Sequence, residues 1–109
     1  MLKVFLSAMS SFFHQKTVLI TGASSGIGKA LTLDLLSKGA RVAICARDKQ
    51  KLNQFAQAVN NPNLLAIQAD VSSEEDCKNF VNAAVNQFGN IHILINNAGI
   101  SMRALYSKK

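Results

Sequence analysis

Residues 17–28 read Thr17-Val18-Leu19-Ile20-Thr21-Gly22-Ala23-Ser24-Ser25-Gly26-Ile27-Gly28. A short β-branched apolar run passes through three glycines into an amphipathic stretch. Gly22 permits a tight turn. Gly26 lets backbone approach a pyrophosphate with no Cβ in the way. Gly28 lets the following helix pack closely on the strand. N–H groups at the helix start then face the phosphates. The spacing is G-x₃-G-x-G rather than G-x-G-x-x-G. A glycine triplet alone is weak evidence, and the strand before it and helix after it make the signal much stronger.

Working outward, three more runs share the character of the first. They are Arg41–Cys45, Leu64–Gln68 and Ile91–Ile95. Each is about five residues and continuously apolar, the pattern of parallel strands buried on both faces. Helical periods lie between them. In Gly26–Ser37 the positions Ile27, Ala30, Leu31 and Leu35 share a face, and Gly39 stops the helix. In Asp48–Asn60 the face is Leu52, Phe55, Ala56 and Val59, with Asp48 at the amino end and Asn60-Asn61-Pro62 ending the run. The third helix begins with Ser72 and Glu75 as a capping box. It carries Cys77, Phe80, Val81, Ala84, Val85 and Phe88 on one face and ends at Gly89. The order β-α-β-α-β-α-β predicts an α/β, Rossmann-like doubly wound parallel sheet of order 3-2-1-4, truncated after about four strands.

Composition narrows the function classes. A chain of 109 residues with 49% hydrophobic and 17% charged residues is one globular domain. Its net charge of +6 favours anionic ligands, but the charges are scattered, with no basic helix face for nucleic acid. Cys45 and Cys77 form no C-x-x-C. They read as buried thiols of a reducing, intracellular and most simply cytoplasmic protein. His14 and His92 are too isolated to suggest a metal. A P-loop reading of Gly28-Lys29 fails twice. Position 23 is Ala23 where that motif needs glycine, and Ala30 offers no hydroxyl after the lysine.

Strand two should end beside an adenosine ribose. A carboxylate there would accept from a 2′-hydroxyl. The sequence reads Cys45-Ala46-Arg47 instead. A guanidinium there can pair with a 2′-phosphate and stack on adenine, so the expected cofactor is NADP(H) with Arg47 as selector.

Together these segments resemble the short-chain dehydrogenase/reductase family. Thr21–Gly28 is similar to its T-G-x-x-x-G-x-G turn. Asp70-Val71 resembles its adenine-contacting pair, and Asn96-Asn97-Ala98-Gly99 its N-N-A-G motif. The continuation Ile100–Leu105 has a weaker resemblance to the dehydrogenase/reductase member 7-like subgroup. The resemblance implies a cofactor-binding set of Gly22, Ser24, Ser25, Gly26, Ile27, Gly28, Arg47, Asp70, Val71, Asn97, Ala98 and Gly99. It implies hydride transfer to or from a carbonyl or alcohol. In that family the catalytic Ser, Asn and Tyr-x-x-x-Lys lie well past N-N-A-G. Tyr106-Ser107-Lys108-Lys109 has lysines two and three residues after the tyrosine, not four. No catalytic residue is therefore named. The expectation is a cofactor-binding half that is inactive alone, whether fragment, isoform or truncated product. The alternative is a non-catalytic nucleotide-binding or interaction module.

Two expectations concern the ends of the fold. Residues 17–109 form the incomplete NADP(H)-binding domain, and residues 1–16 a leader. Val4–Gln15 carries no formal charge but is too short to span a bilayer, which takes about 20 residues. It reads as disordered or surface-packed, with membrane association as the alternative and a cleaved signal disfavoured by the lack of an A-x-A site. Strand four, if last in the sheet, is an apolar edge that seeks a second copy or a complementing chain.

Overall fold

The computed structural model describes residues 11–97. Four parallel strands, β1 (Thr17–Thr21), β2 (Arg41–Ala46), β3 (Leu64–Gln68) and β4 (Ile93–Asn96), form one sheet of order β3-β2-β1-β4. Three helices connect them: α1 (Gly26–Ser37), α2 (Lys49–Val59) and α3 (Glu74–Phe88). This is the Rossmann-like doubly wound arrangement that the glycine turn and the alternating runs imply.

The register explains the two-sided core. Val18, Leu19 and Ile20 lie opposite Val42, Ala43 and Ile44 in one direction and Ile93, Leu94 and Ile95 in the other. Alternate residues point to opposite faces. Val18, Ile20, Val42 and Ile44 pack with Leu35, Leu36 and Leu52 of α1 and α2. Leu19, Ala43 and Cys45 pack with Cys77, Phe80 and Ala84 of α3. β1 is buried throughout, whereas β3 and β4 are only half-buried, because each has one neighbour strand among the described residues.

Two boundaries, the start of β4 and the cap of α3, differ from the sequence expectation for a local reason, and β2 runs one residue further, to Ala46. β4 begins at Ile93, not Ile91. His92 docks on the start of β1 through its side chain, with Thr17 N–H donating to His92 Nδ1 at 2.9 Å and His92 N–H donating to Thr17 O at 3.0 Å. The cap of α3 is Ser73 rather than Ser72. Ser72 is held by Asp70, whose Oδ1 accepts from Ser72 N–H at 3.0 Å and Ser72 Oγ at 2.7 Å. Ser73 Oγ instead accepts from Asp76 N–H at 3.2 Å, and Asp76 Oδ2 accepts from Asp70 N–H at 2.9 Å. Three residues expected on apolar faces are exposed instead: Ile27 at 73% and Ala30 on α1, and Val85 at 39% on α3. The other helix ends follow the sequence reading. Asp48 caps α2, Asn60 ends it at φ 48°, and Gly39 and Gly89 leave α1 and α3 at φ 82° and 98°.

Residues 11–13 are helical, and Phe13 packs against the α1–α2 side of the core. Among the described residues no helix is long and apolar enough to cross a membrane, and no three His, Cys, Asp or Glu side chains group as metal ligands.

Candidate functional site

Parallel strands deliver their carboxyl ends to one side of the sheet, so β1, β2 and β3 open there onto a shared cleft of ≈ 360 Å³. Gly22, Ser24 and Ser25 form its wall at the β1–α1 turn. Arg47 and Asp48 stand at the end of β2, Val71 past β3 and Asn97 past β4. Residues far apart in sequence are thereby gathered around one concavity.

The turn is shaped by the chain itself. Gly22 takes φ 67°, a left-handed conformation that disfavours a side chain. Ser25 caps α1. Its Oγ accepts from Gly28 N–H at 3.3 Å and donates to Gly22 O at 3.1 Å. Asn97 Nδ2 then donates to Gly22 O at 3.1 Å and to Ser25 Oγ at 3.0 Å, tying the end of β4 to the turn. One position earlier, Thr21 Oγ1 donates to Asn96 Oδ1 at 2.8 Å. Sequence reasoning took these two asparagines from the N-N-A-G motif alone, without partners. The signal lay in the parallel register, which sets Thr21 against Asn96.

The glycines divide by environment. A Cβ on Gly28 would lie 2.7 Å from Ala23 Cα and from Gly22 O, and 3.0 Å from Asn97 Nδ2. A Cβ on Gly26 would meet nothing within 4 Å. Gly28 is thus demanded by the fold, whereas Gly26 leaves open space at the mouth of α1. The Ile27 side chain is 73% exposed beside it.

The electrostatics suit an anion. The first turn of α1 carries no acidic residue, so its positive helix end is uncompensated. α3 offers the contrast, with Glu74, Glu75 and Asp76 in its first turn. At the far end of the cleft Arg47 follows β2, and its backbone carbonyl accepts from Gln68 Nε2 at 3.2 Å. The nearest acid in the chain, Asp48, spends an oxygen on Lys51 N–H at 3.1 Å as the cap of α2.

Asp70 lies just past β3 but does not line the cleft; Val71 and Ala69 do. Its carboxyl is held below the usual range by the Ser72 hydroxyl first, then by the Ser72 N–H, with a smaller contribution from the Arg47 charge. Cys45 lines the cleft floor although fully buried, a position the sequence reading left out. Ala98 and Gly99 lie outside the described residues, as do Tyr106 and the Ile100–Leu105 continuation.

Comparison with known proteins accords with this geometry. Residues 16–108 match the short chain dehydrogenase family pattern. The chain is 37% identical over 106 residues to 11-beta-hydroxysteroid dehydrogenase 1A of Arabidopsis thaliana, covering 94% of this chain and 30% of that protein. It superposes with TM-score 0.71 and 38% identity on a 3-ketoacyl-(acyl-carrier-protein) reductase from Brucella melitensis complexed with NADH, covering 75% of this chain and 33% of that one. A short chain dehydrogenase/reductase from Burkholderia phymatum in complex with NAD superposes with TM-score 0.71 at 27% identity, covering 75% of this chain and 30% of that one. The chain therefore spans about a third of the length of the relatives it matches. With the glycine turn, the strand order and the Asn96-Asn97 pair all in place, the chain belongs to the short-chain dehydrogenase/reductase family.

Proposed function

We propose that this chain is the NADP(H)-binding portion of an oxidoreductase that moves hydride between a nicotinamide and a carbonyl or alcohol carbon. The observation that carries the reading is the open mouth of α1. It pairs a glycine with free space for a ligand at Gly26 with a helix end that has no acidic neighbour in its first turn. Diphosphate oxygens accept there from backbone N–H groups. Arg47 takes the 2′-phosphate in a charge-assisted pair, while Asp48 is engaged in capping α2. Val71 flanks the adenine, and the remaining acceptor capacity of Asp70 receives its amino group. Asn97 acts at one remove, by holding Gly22 and Ser25 in place. Ala98 and Gly99 belong to the same set by motif. When bound, the nicotinamide supplies the hydride chemistry. The alcohol and ketone chemistry in the names of the plant and bacterial relatives fits that class.

No proton donor is assigned among these residues, because a Tyr-x-x-x-Lys is absent from the 109 positions. The chain alone is expected to bind cofactor without turning over a carbonyl substrate. The experiment that tests the cofactor reading is titration of NADPH and NADH into the chain and its Arg47→Ala variant. A loss of about 10- to 100-fold in NADPH affinity is expected, the size of one charge-assisted phosphate contact, with NADH little changed. Equal losses for both, or none, would remove Arg47 as selector.

A further strand is the expected neighbour of β4, supplied by a second copy or a complementing chain. Ile93, Leu94 and Ile95 are half-buried, and among the described residues only β1 pairs with this strand. Sedimentation of the isolated chain should show association that rises with concentration. A monodisperse monomer at high concentration would contradict it.

A further inference from the structure

The turn from β3 into α3 holds more hydrogen bonds than a helix cap requires. Asp70 N–H donates to Asp76 Oδ2 at 2.9 Å, and Asp70 O accepts from Ser73 N–H at 2.9 Å. Asp70 Oδ1 accepts twice from Ser72. Cys77 Sγ donates to Val71 O at 3.3 Å. Among the described residues no hydrogen bond engages Asp70 Oδ2 or Val71 N–H. One acceptor and one donor thus remain on neighbouring residues, and Val71 lines the cleft. Adenine presents the complement along one edge, a donor at N6 beside an acceptor at N1.

The three acids at the start of α3 are not equivalent. Glu74 and Glu75 are exposed, and Glu74 pairs with Lys78 at 3.1 Å. Asp76 is half-buried and reaches back out of the helix to the end of β3. Its own N–H donates to the capping Ser73 Oγ at 3.2 Å, which fixes its backbone. Cys77 beside it is 1% exposed and packs with Phe80 and Ala84 against Leu19 and Ala43 of the sheet. The first turn of α3 is therefore anchored in the core and holds the 70–71 stretch from both sides. Asp76 pins the peptide before Asp70, and Cys77 pins the peptide after Val71. The peptide between them carries Val71 N–H, and its carbonyl is taken by Ser73.

We propose that Asp76 and Cys77 are positioning residues for the base of the cofactor: from α3 they hold the Asp70–Val71 peptide so that Val71 N–H and Asp70 Oδ2 meet adenine together, which gives the chain a preference for a 6-aminopurine over a 6-oxopurine. The assignment rests on the reading of Asp70 and Val71 as the adenine contact. Hypoxanthine reverses both groups, with a donor at N1 and an acceptor at position 6. It sets donor against donor and acceptor against acceptor. A rigid pair penalises that reversal, whereas a loose loop turns its peptide and accommodates either base.

The test is calorimetric titration of NADPH and of its hypoxanthine analogue into the full chain and its variants. The unaltered chain should prefer NADPH by about tenfold or more. Asp76→Ala should shrink that ratio about three- to tenfold, mainly by weakening NADPH, and Cys77→Ala should shift it in the same direction. Asp76→Asn keeps an oxygen for Asp70 N–H and should keep the ratio. Glu75→Ala removes a charge from the same helical turn and should also keep it. A merely structural role would lower both affinities together and leave the ratio unmoved. If the unaltered chain binds the two dinucleotides equally, or binds neither, the adenine reading of Asp70 and Val71 falls and the assignment with it. If the unaltered chain discriminates and Asp76→Ala does so equally well, the adenine reading stands and the positioning role is overturned. Should Asp76→Ala fail to fold, the ratio in Cys77→Ala decides in the same way.

Discussion

Asn97 Nδ2 lies 3.0 Å from Ser25 Oγ, although 72 positions separate the two residues. The same amide reaches Gly22 O, and the same hydroxyl caps α1. The end of β4 is therefore part of the glycine turn in space. Asn97→Leu keeps the side chain's size but removes two of the hydrogen bonds at the turn, leaving Gly22 O to Ser25 alone and Ser25 Oγ to Gly28 N–H and Gly22 O. The expected cost is about 0.5–1.5 kcal/mol of stability for each hydrogen bond lost, the usual net worth of a bond whose partner keeps another. NADPH affinity should fall as well, because the turn loses its brace. Urea unfolding and calorimetric titration measure the two effects. Unchanged affinity in a folded variant would show that the turn holds its shape without Asn97.

Gly26 and Gly28 should separate folding from binding. Gly28→Ala places a methyl 2.7 Å from Ala23 Cα and Gly22 O, where backbone must shift, so it is expected to unfold or strongly destabilise the chain. Gly26→Ala meets nothing, so melting should be unchanged or slightly improved through a helix-favouring alanine. The added methyl projects into the space assigned to the diphosphate, and NADPH binding should drop at least tenfold. If Gly26→Ala binds as well as the parent, the diphosphate lies elsewhere.

Much of this was legible in the sequence because its main signals are local. The glycine turn, the helix stops at Gly39 and Gly89 and the cap at Asp48 each need only a few neighbouring residues. Strand order followed because parallel strands with short crossovers leave few topologies. Less legible were features set by contacts across the chain. The capping duty passed from Ser72 to Ser73 because Asp70 had already bound Ser72. Asp70 was read as an adenine contact, yet its carboxylate also organises the loop before α3. Cys45 was read as core, and it is also the floor of the cleft. Period and propensity carry no information on which of two adjacent serines a carboxylate will take.

The start of β1 offers a paired test of polar satisfaction. Thr17 is fully buried, and its Oγ1 has no hydrogen-bond partner among the described residues. Its N–H, by contrast, donates to His92 Nδ1. Thr17→Val replaces an unsatisfied hydroxyl by a methyl of the same shape and should stabilise by about 1 kcal/mol. His92→Phe removes the acceptor and orphans a buried N–H, costing about 1–3 kcal/mol. Denaturant midpoints measure both. Because Nδ1 accepts, the neutral ring should carry its proton on Nε2, which nitrogen chemical shifts report directly. A destabilised Thr17→Val variant would mean that the hydroxyl has a partner.

The two thiols should make the fold sensitive to alkali. Burial is the main cause of the raised Cys45 value, with the neighbouring Cys77 next, and together they push it from 9.0 up to about 12. Cys77 is raised as well, chiefly by burial and then by the Asp76 charge. In the unfolded chain both thiols ionise near the ordinary value. A group that holds its proton more tightly when folded stabilises the fold fully below the unfolded value, and that contribution is lost as pH rises beyond it. Stability should therefore fall from about pH 9 toward about pH 12. Cys45→Ala should flatten this limb while lowering the neutral-pH baseline through lost packing. Iodoacetamide at pH 8 should leave both cysteines unmodified in the folded chain and alkylate both in urea. Rapid labelling of native Cys45 would show that the cleft floor opens to solvent, and the alkaline slope should then disappear with it.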